Sequence, residues 1–386
     1  YGGLREGASA VRHLDHASVR PYMDGRDSGG WKVDPAVKAK LTWEPMPHDP
    51  ERYRGKGFKP EIEQMMTEGV HIEARSDLGS FEVAQYSWPS GEGLIEAINE
   101  LNRAICVGAM EYVPDDEIPE VRETGIVHPL TIVSQGEGKW RACHDYSVGT
   151  NRVAGSAPFG LPTPWSVRPL LRSGSFMMKY DLRDGFWACP VHPRSRKHLC
   201  VRHPASGRLV QCCRLPFGFI DSPRLFCGLT EGVAEIFRRR AADMATAEAR
   251  ECGMHVLVFV DDFLVVGDTE ELTRRAGALL EEILAELGLQ YAPHKKRGPA
   301  QVMEFLGLLI SNAKGARCIA LSEKRQAKLM LMLREWHDRV GRIVRNFRWI
   351  PPNSQSCWAT LFLRRRWSRG VAPTCNACSR SFRVSR

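Results

Sequence analysis

Three aspartates of this chain stand where they could hold divalent cations. Asp261 and Asp262 are adjacent and lie between two apolar, β-branched runs. His255-Val256-Leu257-Val258-Phe259-Val260 precedes them and Phe263-Leu264-Val265-Val266 follows. Such runs predict two short buried strands, with the two acids at the tip of the tight turn between them. Acids beside a buried strand are unfavourable unless something cationic compensates. Mg²⁺ answers that need, since it takes carboxylate oxygens together with substrate phosphates. A third acid, Asp181, ends another apolar run, Phe176-Met177-Met178-Lys179-Tyr180-Asp181. Three acids on adjacent strand ends would make a two-metal phosphoryl-transfer site. Taken alone, an Asp-Asp pair is equally a solvated hairpin turn, where Asp is favoured. The rest of the chain must decide.

The elements that position these acids follow from the flanking pattern. Residues 1–57 are rich in Gly, Pro, Asp and Arg and predict an irregular lead-in, followed by a short helix over 58–66. Leu94, Ile98, Leu101, Ile105 and Gly108 fall on one helical face and predict a helix over 92–110. Residues 131–133 and 140–143 flank Gln135-Gly136-Glu137-Gly138, a hairpin pattern, and residues 199–203 and 208–213 flank Pro204-Ala205-Ser206-Gly207 in the same way. Helices are predicted over 222–240, over 270–287 with Gly288 as C-cap, and over 322–337. Val302 to Ile310 reads as a strand broken by Gly307. This order of strands and helices suits an α+β fold with helices on one face of a sheet.

At 386 residues the chain can bury a sizeable core in two or three subdomains. It begins at Tyr1, as an internal segment would. No run of about 18 apolar residues occurs, which argues against a membrane span, and no secretory signal pattern opens the chain. The 12 Cys form no regular framework, which favours a reduced intracellular setting, cytoplasm or nucleus. Cys375 and Cys378 form a lone pair with too few further ligands for zinc. The net charge is +9, but residues 339–386 hold 11 Arg and no Lys, Asp or Glu. The remainder has 43 basic against 45 acidic residues, so nucleic-acid affinity in the body must come from local clustering.

Several motifs fall in one order: Trp140-Arg141, Asp181-Leu182-Arg183-Asp184-Gly185-Phe186, Leu215-Pro216-Phe217-Gly218 with Ser222-Pro223, Phe259-Val260-Asp261-Asp262, Lys295-Lys296, and Phe305-Leu306-Gly307. Over roughly residues 92–337 this order resembles the reverse transcriptases of retroelements. His144-Asp145-Tyr146-Ser147 with Asn151, and the segment from Glu304 to Ile310, make it most similar to the DIRS-type, tyrosine-recombinase retrotransposons.

The resemblance implies a right-hand polymerase: an antiparallel palm sheet backed by helices, fingers, and an incomplete thumb. It divides the chain into a lead-in (1–91), fingers (92–170), palm (171–320, with a fingers-contributing hairpin near 199–213), the start of a thumb or connection (321–338) and an Arg-rich, unstructured tail (339–386). It implies two Mg²⁺ ions, with Mn²⁺ as a substitute, held by Asp181, Asp261, Asp262 and the main-chain carbonyl of Leu182. Arg141, with Lys139 nearby, would grip the incoming triphosphate, as forked donors suit phosphate oxygens. Ser134-Gln135 departs from the family there, where relatives often carry a second Lys. Phe186 would be a steric gate against the ribose 2′-hydroxyl. Phe217 and Gly218 would pack near the nascent pair. Lys295 or Lys296 would protonate the pyrophosphate. Leu306 and Gly307 would form the primer grip, or equally a strand with a glycine bulge. The implied partners are a primed RNA or DNA template and deoxynucleoside triphosphates, with no membrane. Two alternatives stay open: a decayed or truncated remnant that at most binds nucleic acid, and an RNA-dependent RNA polymerase. Phe186 and the Val before Asp261-Asp262 argue against the latter.

Overall fold

The computed structural model describes residues 26–27, 30–31, 48–72, 80–86, 91–136, 139–248, 252–314 and 317–346. It divides into two units, residues 1–322 and residues 323–386. In the lead-in, β1 (Arg26–Asp27) pairs with β2 (Gly30–Trp31). Helix α1 (Pro60–Glu68) starts two residues later than its apolar pattern because Pro60 takes the first helical position, where its missing N–H matters least.

A mixed five-stranded sheet has the order β3 (Phe81–Glu82), β5 (Ile126–His128), β9 (Cys200–Arg202), β10 (Leu209–Cys212), β4 (Met110–Tyr112). The predicted hairpin near 199–213 is therefore two central strands of this sheet. Helix α2 (Gly91–Cys106) buries Leu94, Ile98 and Leu101. It stops short of residue 110 because Gly108 turns the chain at φ +75°. A short helix, α3 (Ile118–Thr124), precedes β5. The second predicted hairpin is β6 (Leu130–Gly136) with β7 (Lys139–His144), paired antiparallel with an irregularity between Ser134 and Gly136. Two single-turn helices, α4 (Thr150–Val153) and α5 (Pro193–Arg196), punctuate the connections.

The sheet that carries the acids has the order β11 (Met254–Phe259), β12 (Asp262–Gly267), β8 (Phe176–Asp181), β13 (Arg297–Ala300), every neighbouring pair antiparallel. Alternate residues serve opposite faces. Met178, Tyr180, Val256, Val258, Phe263 and Val265 join the core that α6 (Ser222–Ala247) and α7 (Glu270–Glu286) complete, through residues such as Phe226, Val233, Phe237, Leu280 and Ile283. Met177, Leu257, Leu264 and Val266 join a second core with Val167, Met303, Phe305 and Ile310. Helices thus cover one face, as predicted. The other face is also covered, by a three-stranded sheet of β14 (Val302–Phe305), β15 (Leu308–Ser311) and β16 (Cys318–Leu321). Burial on both faces is why the strand sequences are continuous apolar runs and not alternating ones.

Two boundaries differ from the sequence reading. The segment from Val302 to Ile310 is not one bulged strand but a hairpin: Phe305 pairs with Leu308, and Leu306 and Gly307 turn at φ +51° and +72°. In the second unit, α8 (Glu323–Asn346) runs past residue 338, with Leu329, Leu331, Leu333 and Trp336 exposed. Arg is a good helix former, so the acid-free stretch that opens at Arg339 changes the charge before it changes the structure. The rest of the expected tail, with Cys375 and Cys378, lies outside the described residues. Among the described residues no helix is long and apolar enough to cross a membrane.

Candidate active site

Strand register assembles the acids. Phe259 pairs with Asp262, so Val260 and Asp261 form a two-residue turn. Asp262 in turn stands directly opposite Asp181 on β8. Two-residue hairpin turns that match strand twist place residues at positive φ, usually Asn or Gly. Here the β-branched Val260 sits at φ +57°. The left-handed region costs a non-glycine residue about 1–2 kcal/mol, and the packing of Val260 against the helix-side core opposes relaxation. The backbone is cross-tied as well. Leu182 N–H donates to the Asp261 carbonyl at 2.9 Å, and Ala292 N–H donates to the Asp181 carbonyl at 2.9 Å. Asp181 and Asp262 therefore ride on packed strands, and Asp261 on the short turn cross-tied to them.

Their electrostatics are those of a crowded anionic site. Burial, then repulsion from Asp262 and Asp181, pushes the Asp261 carboxyl above its ordinary range. Burial also raises Asp262, with Asp181 adding to the shift and Lys179 opposing it. Lys179 Nζ lies 2.9 Å from Asp262 Oδ1 and 5.8 Å from the Phe305 ring centroid. Lys295 Nζ donates to Asp181 Oδ1 at 2.7 Å, and that bond raises the lysine's own pKa. Lys296 goes elsewhere. Its ammonium donates to Glu281 at 2.5 Å, and the same carboxylate accepts from Tyr180 Oη at 2.8 Å and Tyr291 Oη at 3.1 Å. Of the two candidate lysines, only Lys295 meets the acids.

Among the described residues, no three His, Cys, Asp or Glu groups converge as a protein-only metal cage. The donor set nevertheless fits Mg²⁺, which binds through one or two carboxylates plus substrate phosphates and retains water. The ammonium on Asp181 marks where these oxygens accept a cation.

Phe186 is half-buried, with Phe217 at 4.8 Å and Phe226 edge-on at 5.3 Å between ring centroids. Gly218 turns at φ +97°, and a Cβ there would lie 2.7 Å from the His144 carbonyl, so the close approach requires glycine. Asn151 holds that loop at both ends, donating to the Gly218 carbonyl at 2.9 Å and accepting from Ile220 N–H at 2.8 Å. Leu182 is buried and bridges to Tyr291. Leu306 and Gly307 form the turn that follows Phe305. On β7, Lys139 stands opposite Gly136 and Arg141 opposite Val133; their side chains lie outside what the structure describes. A cleft of about 690 Å³, lined by residues including His71, Arg152, Phe219 and Arg224, contains none of Asp181, Asp261 and Asp262.

Lys179 and Arg103 escaped the sequence reading, and Asn151 entered it only as a family marker. Lys179 shares a strand face with Asp181 and Asp262, a signal present in the period-two alternation. Asn151 has no local signal for its role as a clamp. Arg103 donates to Asp184 Oδ1 at 2.5 Å and lies 4.9 Å over the Trp187 ring, which fixes the turn between Asp181 and Phe186 across 81 residues of sequence.

A two-faced antiparallel sheet with a carboxylate hairpin at its end is the arrangement of a polymerase palm. Residues 152–310 match the family described as reverse transcriptase (RNA-dependent DNA polymerase). The chain is 29% identical over 188 residues to the Gag-Pro-Pol polyprotein of bovine leukemia virus, covering 47% of this chain and 12% of that one. It is 27% identical over 255 residues to the Gag-Pol polyprotein of avian reticuloendotheliosis virus, covering 61% and 21%. Among solved structures it is similar to a foamy viral protease-reverse transcriptase in complex with double-stranded DNA, with TM-score 0.51 and 17% identity, over 82% of this chain and 52% of that one. That likeness speaks to the polymerase palm and fingers fold. The chain carries a reverse transcriptase domain homologous to retroviral Pol polyproteins, and spans only about a tenth to a fifth of the length of the curated relatives it matches.

Proposed function

We propose that this chain is an RNA-directed DNA polymerase that extends a primer 3′-hydroxyl with deoxynucleotides, as one part of a retrotransposon polyprotein. The observation that carries the reading is the register of Asp262 against Asp181, with Asp261 in the adjoining turn. Asp181 and Asp261 would hold two Mg²⁺ ions, with the Leu182 carbonyl as a further ligand. When bound, such ions lower the pKa of the attacking hydroxyl and neutralise the triphosphate and leaving group. Asp262, already paired with Lys179, supports the site and ligates less directly.

The remaining roles belong to this chain's own side chains. Phe186, braced by Phe217 and Phe226, excludes a 2′-hydroxyl. Lys139 and Arg141 bind the triphosphate. Phe217 and Gly218 pack beside the nascent base pair. Lys295 delivers a proton to the departing pyrophosphate. The Leu306-Gly307 turn supports the primer end. The DIRS-type assignment rests on His144-Asp145-Tyr146-Ser147, Asn151 and the segment from Glu304 to Ile310; a tyrosine recombinase encoded in the same element would support it, and an integrase in its place would refute it.

Primer extension on poly(rA)/oligo(dT) with Mg²⁺ and dTTP tests the function. Extension with dTTP supports it. Folded protein that extends nothing supports the remnant reading, and extension only with UTP supports an RNA polymerase.

A further inference from the structure

Lys295 is held against Asp181 by its own loop. That loop is strapped to the strand of Asp181 by Arg183 N–H donating to the Gln290 carbonyl at 2.8 Å, the Leu182–Tyr291 bridge, and Ala292 N–H on the Asp181 carbonyl. Lys295 N–H then donates to the Ala292 carbonyl at 2.9 Å and closes the turn. Lys296, the next residue, is pinned the opposite way by Glu281, beneath the rings of Tyr180 at 5.5 Å and Tyr291 at 6.0 Å. Glu281 also holds Tyr180, the neighbour of Asp181. The backbone bonds hold the loop, and Glu281 on the helix-side face takes Lys296 away from the acids. Adjacent lysines with opposite fates leave the Lys295 ammonium preplaced on an oxygen that a divalent cation needs.

We propose that Lys295 is a built-in counter-ion of the carboxylate site, which a divalent cation must displace from Asp181, and that Lys296, taken up by Glu281, has no part in that competition. The inference rests on the metal reading given above and adds a competition to it. Displacement has a consequence for the same residue: an ammonium expelled from Asp181 is released when the cations arrive, beside the triphosphate that they hold. The lysine is half-exposed, so the contact is partly screened and the competition is modest. A contact near the upper end of the range for exposed pairs weakens cation binding about fivefold.

The test is Mn²⁺ binding to the whole chain without substrate, read by electron paramagnetic resonance. Lys295→Met should tighten the Mn²⁺ dissociation constant about fivefold, and Lys296→Met should not tighten it. Both variants remove one positive charge, so equal tightening by the two would assign the effect to net charge and overturn the proposal. Unchanged or weaker binding by Lys295→Met, with the parent protein binding Mn²⁺ normally, would also overturn it and leave the metal reading intact. A parent protein that binds no Mn²⁺ would remove both. Circular dichroism and melting temperature check that each variant is folded.

Discussion

Truncating Phe186 separates a gate from a core residue. Phe186 packs tilted against Phe217 and edge-on to Phe226, the latter a geometry favoured by aromatic pairs. A buried Phe→Ala change costs about 3–5 kcal/mol. Phe186 is half-buried and Val retains part of the volume, so Phe186→Val should cost about 2 kcal/mol, or roughly 4–8 °C in melting temperature at about 2–4 °C per kcal/mol. The selectivity term is independent of that loss. Forcing an extra heavy atom against a packed ring costs about 1–3 kcal/mol, which is about 5- to 150-fold in rate. The ratio of kcat/KM for dTTP over UTP should therefore fall by about tenfold or more in Phe186→Val. Phe226→Leu is the control. Phe226 is fully buried under Phe186, so its truncation should lower the melting temperature and leave the ratio within about threefold of the parent's, a small shift on the scale of a lost gate. If Phe186→Val lowers the melting temperature while the ratio stays at the parental value, Phe186 is a core residue and the gate is wrong.

Asp181→Asn and Asp261→Asn should each lower primer extension about a thousandfold or more, since a lost metal carboxylate removes several kcal/mol of charge stabilisation, and Asp262→Asn should do less harm; single-turnover rates on folded protein decide. His128 and His203 are buried neutral, each with a pKa pushed down by burial to about 4. Their unfolded forms bind protons first, so stability should be lost as pH falls from about 6.5 towards 4, at up to about 1.4 kcal/mol per pH unit for each. Melting temperature against pH should show this, and His203→Gln should shallow the slope. Deleting residues 347–386, with 8 Arg, should leave the melting temperature of the body unchanged and flatten the salt dependence of nucleic-acid binding; a large drop in melting temperature would show that the segment docks.

The acids and their strands were legible because apolar runs and turn residues are local signals. Asp181, far from the others in sequence, was legible through the order of motifs. What stayed hidden was long-range or depended on a second layer. The cover of β14, β15 and β16 over the second face could not be read, although unbroken apolar runs such as Phe263-Leu264-Val265-Val266 hint at it. Lys295 and Lys296 are chemically identical and adjacent, so only the fold could assign one to Asp181 and the other to Glu281. The Leu306-Gly307 turn was misread as a bulge because a leucine at positive φ is not a signal that propensity supplies.

That last misreading belongs to a pattern. Among the described residues, the non-glycine residues at positive φ are Asp184, Val260 and Leu306. Each lies within a motif of the proposed site: between Asp181 and Phe186, immediately before Asp261, and in the turn after Phe305. Elsewhere such conformations fall on glycines, as at Gly108 and Gly288. Asp tolerates the left-handed region by local hydrogen bonding, but Val and Leu do not. A chain that had only to fold would be better served at position 260 by Asn or Gly, by about 1–2 kcal/mol. Strain of this kind persists where surrounding packing over-determines it and tends to cluster at active sites. The sheet supplies that packing, since both its faces are buried. At Val260 its cost falls in the turn that carries Asp261, the position where the proposed two-metal site would need a carboxylate held in a fixed direction.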